Sequence, residues 1–422
     1  MSPRTVDTVV IGAGHAGLAV SHLLGLAGRD HVVVDRGRVA EAWRQRWDSL
    51  RLLTPRWMTR LPGWQYAGHG REGFMPADEL VGHLERYAAT SSAPLELGRE
   101  VLEVARHDEG YRVVADGAAW LARHVVIATG PIGRPNIPAS THGLSADVHV
   151  LTAARYRNPD GLPDGGVLVV GGSASGAQIA DELARAGRKV VLAVGGHTRI
   201  PRRYRGMDVH WWLDRTGRQA RTIDTVSDPV AARREPSFQL AGREPGDARG
   251  VDVDLNALQD VGVEVTGRLQ ASDGHRVSFA GDLATTVQQA DARLARFLDL
   301  VDAHIDSTHL TAEVDPAERP SPLRVGATRG GLDLRAEGIG TVLLATGYAP
   351  HHPWLKVPVA GPDGHLRQVR GVTPAPGLYV VGQRFQHRRD AATIDGARHD
   401  ACDVVSHLCR DDILALRALE PR

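Results

Sequence analysis

Cysteine is nearly missing from this chain: its 422 residues include two, Cys402 and Cys409. On one helix that spacing puts them about 10 Å apart along the axis, too far for a disulfide. No Cys-x-x-Cys occurs anywhere in the sequence, which excludes the dithiol chemistry of disulfide reductases. Lysine is almost absent as well; Lys189 and Lys356 stand alone among many arginines. Net charge is lacking too, with 50 basic residues against 50 acidic ones. That balance argues against nucleic acid or an anionic membrane as a partner. No apolar run approaches the roughly 20 residues that span a bilayer. The opening, MSPRTVDTVVIGAG, has no basic leader with a small-residue cleavage site, so a cytoplasmic location is expected. The 20 histidines are scattered; no metal site is expected, and His351-His352-Pro353 reads as a loop.

Hydrophobic content of 42% and the chain's length predict a globular protein of two domains. Thr8 to Ile11 reads as a buried parallel strand, and Gly12, Gly14 and Gly17 follow it. A helix is expected over 15–27 and a second strand over 31–35. The pattern recurs: strand 167–170, then Gly171, Gly172, Ser173 and Gly176, a helix over 177–186 and a strand over 189–194. Further strands are expected at 341–345 and 378–381, an amphipathic helix over 285–305, and a helix over 400–416. The Pro/Gly/Asp-rich stretch 157–166 marks a junction, and the polar stretch 215–250 reads as a loop or insertion. The expected fold is α/β, with two Rossmann-like dinucleotide-binding domains. One domain comprises 1–158 and 335–422, and the other, 159–334, is inserted into it.

In the first unit, Gly12 permits the tight turn, Gly14 the approach of a pyrophosphate, and Gly17 close packing of helix on sheet. The helix N-terminus offers free N–H groups to phosphate. Asp35 closes the second strand, where a carboxylate would bond ribose hydroxyls; Arg36 follows it. In the second unit Ser173 stands where the middle glycine would be, flanked by Ala174 and Ser175, and serine is small enough for phosphate to approach. No acid occupies the position equivalent to Asp35. Arg199, Arg202, Arg203 and Arg205 follow instead, and arginine there accommodates the 2′-phosphate of NADPH. Arg199 is the first choice for that contact by position, with Arg203 beside it.

Downstream of the first unit come Trp43-Arg44-Gln45-Arg46-Trp47-Asp48 and Leu50-Arg51-Leu52-Leu53-Thr54-Pro55. With Ala128-Thr129-Gly130, Ala345-Thr346-Gly347-Tyr348 and Asp395-Gly396, these make the chain resemble the class B flavoprotein monooxygenases. The resemblance is to their flavin-containing monooxygenase-like group and is thinnest from about 216 to 340. It implies FAD in the first site, with Trp43, Arg44, Trp47, Thr54 and Val101 contributing. Ala128, Thr129 and Gly130 would join them, as would Thr346, Gly347, Gly382, Gln383 and Asp395. Packing is an equally good reading for the tryptophans, and a surface ion pair is an alternative for the arginines.

A flavin beside a nicotinamide implies hydride transfer from NADPH to FAD. The resemblance implies the next step, transfer of one oxygen atom to a small organic substrate through a C4a-(hydro)peroxyflavin. Its partners are then a small molecule and O2, and a homodimer is compatible with it. The chain departs from the wider superfamily in three places. His149 matches a linker histidine, but the flanking Phe and Gly are missing, so His149 is a candidate catalytic residue and equally a packed hinge histidine. Leu53 stands where the group carries an Asn. Gln383 stands where many FAD folds place Asp. An NADPH-dependent flavin reductase or oxidase, which passes electrons to a quinone or to O2, therefore stays open. So does a non-catalytic flavoprotein.

Overall fold

The computed structural model of the protein describes residues 2–108, 110–242 and 252–410. Residues 243–250 of the polar stretch and 411–416 of the expected last helix lie outside them.

Two sheets organise the chain. The first has seven strands among the described residues: β1 (Arg4–Ile11), β2 (His31–Asp35), β3 (Leu95–Leu97), β4 (Val101–His107), β5 (Gly110–Ala115), β6 (Ala118–Ile127), and Leu378–Val380. Their order is β3-β2-β1-β6-β5-β4, and Leu378–Val380 also pairs with β6. β6 changes partners along its length. Its first half runs antiparallel to β5, Ala118 opposite Ala115, while Val125 to Ile127 run parallel to Leu378–Val380. Its other edge is parallel to β1 throughout, Val10 opposite Val126. The β-branched run Thr8–Ile11 is buried from both sides: Val10 lies under helices, and Val9 and Ile11 pack with Val104, Trp120 and Val357. α1 (His15–Leu26) packs on it together with the helix Ile394–Leu408, through Leu18, Val20, Ala397, Ala401 and Val404.

The second sheet has five parallel strands, in the order Glu264–Thr266, Val190–Ala193, Gly166–Val170, Ile339–Leu344 and His149–Thr152. Gly166–Val170 is buried at every residue, as expected of a parallel strand covered on both faces. His149–Thr152 and Ile339–Leu344 pair with each other, so the second sheet gathers strands from both sides of the 159–334 segment. The helix expected over 285–305 is observed as Leu283–Thr308, with Val287, Leu294, Val301 and Ile305 on its buried face. Among the described residues no helix is long and apolar enough to cross a membrane.

Candidate functional site

Each dinucleotide turn can be read glycine by glycine. Gly12 has φ +115°, and a Cβ there would sit 2.5 Å from the Ala128 carbonyl oxygen. A Cβ on Gly17 would overlap the Gly12 carbonyl oxygen. Both glycines are therefore demanded by the fold itself. Gly14 is different. It precedes α1 with φ −84° and ψ −178°, extended backbone that any residue adopts, and a Cβ on it would meet no atom within 4 Å. The fold does not need a glycine there, and the open space above it leaves room for a ligand. That space lies at a helix N-terminus with no side-chain cap, a setting that suits phosphate oxygens. Asp35 stands at the rim, where Oδ2 accepts from Ala13 N at 2.7 Å and Oδ1 from Gly37 N at 2.8 Å. Its carboxylate is held by the turn it borders, and Arg36 beside it is exposed. Burial pushes His15 down to about 4 and leaves its ring neutral.

The second turn repeats the first. Gly171 has φ +111°, and a Cβ there would lie 2.5 Å from the Ala345 carbonyl oxygen. A Cβ on Gly176 would overlap Gly171. Ser173 takes Gly14's place with φ −85° and ψ −172°. Because that φ is negative, serine costs no backbone strain, and its side chain makes no cap bond. Ala174 and Ser175 open the helix Ala174–Arg185 behind it, half-buried. The backing of each turn is repeated as well. Ala128-Thr129-Gly130 lies behind Gly12 and Ala345-Thr346-Gly347 behind Gly171, with φ +75° at Gly130 and +79° at Gly347. The cradles fit two dinucleotides.

The expected reader of the 2′-phosphate needs correction. Arg199 is a buried structural cation. Its Nε meets Asp254 at 2.8 Å, Nη1 meets Asp291 at 2.7 Å, and Nη2 donates to the Ser321 carbonyl at 2.7 Å. Each guanidinium nitrogen is engaged, and 4% of the side chain is exposed. Arg202 is also buried. It donates to the Leu53 carbonyl at 2.9 Å, pairs with Asp208 at 2.6 Å and lies over the Phe74 ring. Arg203 is exposed and folds back on the Gly206 carbonyl. The guanidinium at the end of the strand Val190–Ala193 belongs to Arg268. A Cβ on Gly195 would lie 3.3 Å from Arg268 Nε. Among the described residues Arg268 makes only a long 3.6 Å pair, with Asp282, and 62% of its side chain is exposed. Sequence reading missed it because it arrives just past the end of the neighbouring parallel strand, Glu264–Thr266, far along the chain.

The remaining candidates divide. Gly382, at φ +74°, packs against α1, where a Cβ would come 2.9 Å from Ala16 Cβ. Gln383 is buried, and its backbone N–H donates to Gln386 at 3.3 Å. Asp395, in the first turn of Ile394–Leu408, accepts a bidentate bond from Arg60 at 2.6 and 2.8 Å. Arg60 lies 5.6 Å from the Trp57 ring centre, so Asp395 fixes the segment that follows Thr54. Thr54 and Trp43 are half-buried, and Val101 is buried at the start of β4. Trp47 packs into the second sheet's core with Leu50 and Tyr156, so packing accounts for it. Arg44 pairs with Glu85 and donates to the Val39 carbonyl at 3.3 Å, a surface ion pair rather than a free clamp. His149 opens its strand opposite Thr341 and is exposed. Thr152 ends that strand, so His149 stands about 10 Å from the C-terminal edge where ligands bind in such sheets. Among the described residues no group of His, Cys, Asp or Glu could hold a metal.

Residues 9–216 match the pyridine nucleotide-disulphide oxidoreductase family. A CzcO-like oxidoreductase of Geobacillus kaustophilus is 30% identical over 410 residues, covering 95% of this chain and 99% of its own. The indole-3-pyruvate monooxygenase YUCCA4 of Oryza sativa is 30% identical over 205 residues, covering 44% of this chain and 46% of its own. A flavin-containing monooxygenase from Stenotrophomonas maltophilia shares the fold with a TM-score of 0.65 at 20% identity, covering 97% of this chain and 99% of that one. The chain belongs to the CzcO-like oxidoreductases, class B flavoprotein monooxygenase-like enzymes with FAD and a pyridine nucleotide as cofactors.

Proposed function

We propose that the protein is a single-component FAD-dependent monooxygenase that uses NADPH and dioxygen to oxygenate a small organic substrate at nitrogen, sulfur or an activated carbon. The observation that carries this reading is the pair of matched cradles above Gly14 and Ser173, in a chain without a Cys-x-x-Cys. Two electrons delivered to one site by the other then have dioxygen rather than a disulfide as their outlet. The reaction balances as substrate, O2, NADPH and a proton giving oxygenated product, water and NADP+. The YUCCA relatives are named as monooxygenases, which supports the same outcome.

The first cradle and Asp35 would hold FAD, and the second cradle would hold NADPH with Arg268 on the 2′-phosphate. Bound FAD supplies hydride acceptance and oxygen activation. The NADPH-binding unit, built on the strands from His149 to Leu344, is inserted into the FAD-binding unit. Asp395 holds Arg60 in place, and Arg202 ties the Leu53 carbonyl to the second unit, which fixes how the two units meet. Turnover under 18O2 with thioethers and amines tests the reading: one labelled oxygen per product molecule is expected. The alternative is an NADPH-dependent reductase or oxidase. It rests on Leu53, which packs against the cluster around Tyr204 and Trp212 and offers no amide. NADPH consumption that yields only peroxide would favour it.

A further inference from the structure

The second unit grips the run Trp43-Arg44-Gln45-Arg46-Trp47-Asp48 of the first. Trp47 and Leu50 enter the second sheet's core with Tyr156 and Val167, and Trp43 and Ala345 pack against that same core. Asp48 is held at the junction. Its N–H donates to the Arg157 carbonyl at 2.8 Å, and its carboxylate meets Arg157 at 2.7 Å and Asn158 at 2.7 Å. Arg157 also donates to the backbone carbonyls of Arg44 and Arg46. The backbone of Arg46 is therefore fixed, while its side chain is hardly held. The guanidinium is half-buried, and its one partner among the described residues is the Tyr348 hydroxyl, at 3.5 Å. No carboxylate among those residues answers its charge, whereas Arg44 is paired with Glu85.

Tyr348 shows where that guanidinium stands. It follows Ala345-Thr346-Gly347, whose Ala345 carbonyl backs Gly171. Tyr348 lies opposite Pro135 in a short antiparallel pair, and the Thr346 hydroxyl donates to the Asn136 carbonyl at 2.6 Å. In the second sheet Val190–Ala193 lies on one side of Gly166–Val170 and Ile339–Leu344 on the other. Arg268, beside Gly195, stands past the first of these neighbours, and Arg46, beside Tyr348, past the second. The uncapped helix start at Ser173 lies between them. In such units the adenosine ribose sits at the end of the second strand and the pyrophosphate at the helix N-terminus. The nicotinamide half then extends toward Ile339–Leu344, the side on which Arg46 stands.

We propose that Arg46 binds the phosphate that carries the nicotinamide riboside, so that the first unit supplies a contact to the nucleotide held by the second. A guanidinium fork matches phosphate oxygens bidentately, and partial burial strengthens the attraction. Trp47 and Asp48 anchor the run so that Arg46 reaches across the units. The proposal rests on the reading of the second cradle as the pyridine-nucleotide site.

The test is equilibrium titration of oxidised holoenzyme with three probes. They are NADP+; 2′-phospho-ADP-ribose, which lacks only the nicotinamide; and adenosine 2′,5′-bisphosphate, which lacks the riboside and its phosphate. Arg46→Gln should weaken the first two about tenfold or more, as loss of a charge-assisted contact predicts, and leave the third unchanged. Arg46→Lys, which keeps the charge but not the fork, should fall between. Equal loss for all three probes, no loss for any, or loss confined to NADP+ would overturn the proposal. Failure of the unaltered holoenzyme to bind any of the three would refute the nucleotide reading of the second cradle, and this contact with it.

Discussion

Gly14 separates a glycine kept for a ligand from a glycine kept for the fold. Gly14→Val places a branched side chain where no protein atom lies within 4 Å and where φ is −84°. The cost to the fold is then that of a poor helix cap, up to about 1 kcal/mol. Gly12→Ala is the opposite case. It forces a residue with a Cβ to φ +115° and brings that carbon to 2.5 Å from the Ala128 carbonyl oxygen. Left-handed strain of about 1–2 kcal/mol and overpacking of about 1–3 kcal/mol sum to roughly 2–5 kcal/mol. Flavin per chain after purification, with melting of the flavin-free protein, separates the two. Gly14→Val should purify colourless and melt within a few degrees of the unaltered apoprotein, at about 2–4 °C per kcal/mol. Gly12→Ala should melt well below it. Gly14→Ser, which copies Ser173, should keep its flavin. Full flavin in Gly14→Val would refute the assignment of the first cradle.

Arg199→Ala should destabilise the protein by about 3–5 kcal/mol, because it strands Asp254 and Asp291, and should leave the preference between NADPH and NADH unchanged. Arg268→Ala should raise KM for NADPH about tenfold or more with little effect on NADH, as loss of a charge-assisted contact predicts; equal loss for both nucleotides would refute its role. Asp400 is 1% exposed, neither oxygen has a partner among the described residues, and burial pushes it up to about 7. The folded protein therefore holds the proton more tightly than the unfolded chain. This contribution is full below about pH 4 and is lost as pH rises to about 7. Asp400→Asn should remove that decline and raise the melting temperature at about pH 8; an unchanged profile would show that the carboxyl titrates normally. His149→Ala should leave flavin reduction and product formation unchanged, and a large fall in either would return His149 to the reacting centre.

Both dinucleotide turns were legible because their logic is local: a β-branched strand, glycines at fixed spacing and a helix within 20 residues or so. The place of Asp35 at the end of β2 was legible for the same reason. The antiparallel strands β4 to β6 were not read, since their pairing partners decide their identity more than their own residues do. Arg199 was misassigned because sequence adjacency to a strand end does not reveal two carboxylates arriving from Asp254 and Asp291. Arg268 was missed for the converse reason; it reaches Gly195 from just past the next strand.

In the proposed function one chain takes electrons from NADPH onto FAD and passes them to dioxygen with oxygen transfer. Anaerobic stopped-flow reduction of the holoenzyme, followed by mixing with oxygenated buffer and an organic substrate, tests it most directly. NADPH should bleach the flavin rapidly, and a transient near-ultraviolet absorbance should precede the return of oxidised flavin with oxygenated product. A flavin that neither nicotinamide reduces, or one that reoxidises directly with stoichiometric peroxide and no product, would contradict it.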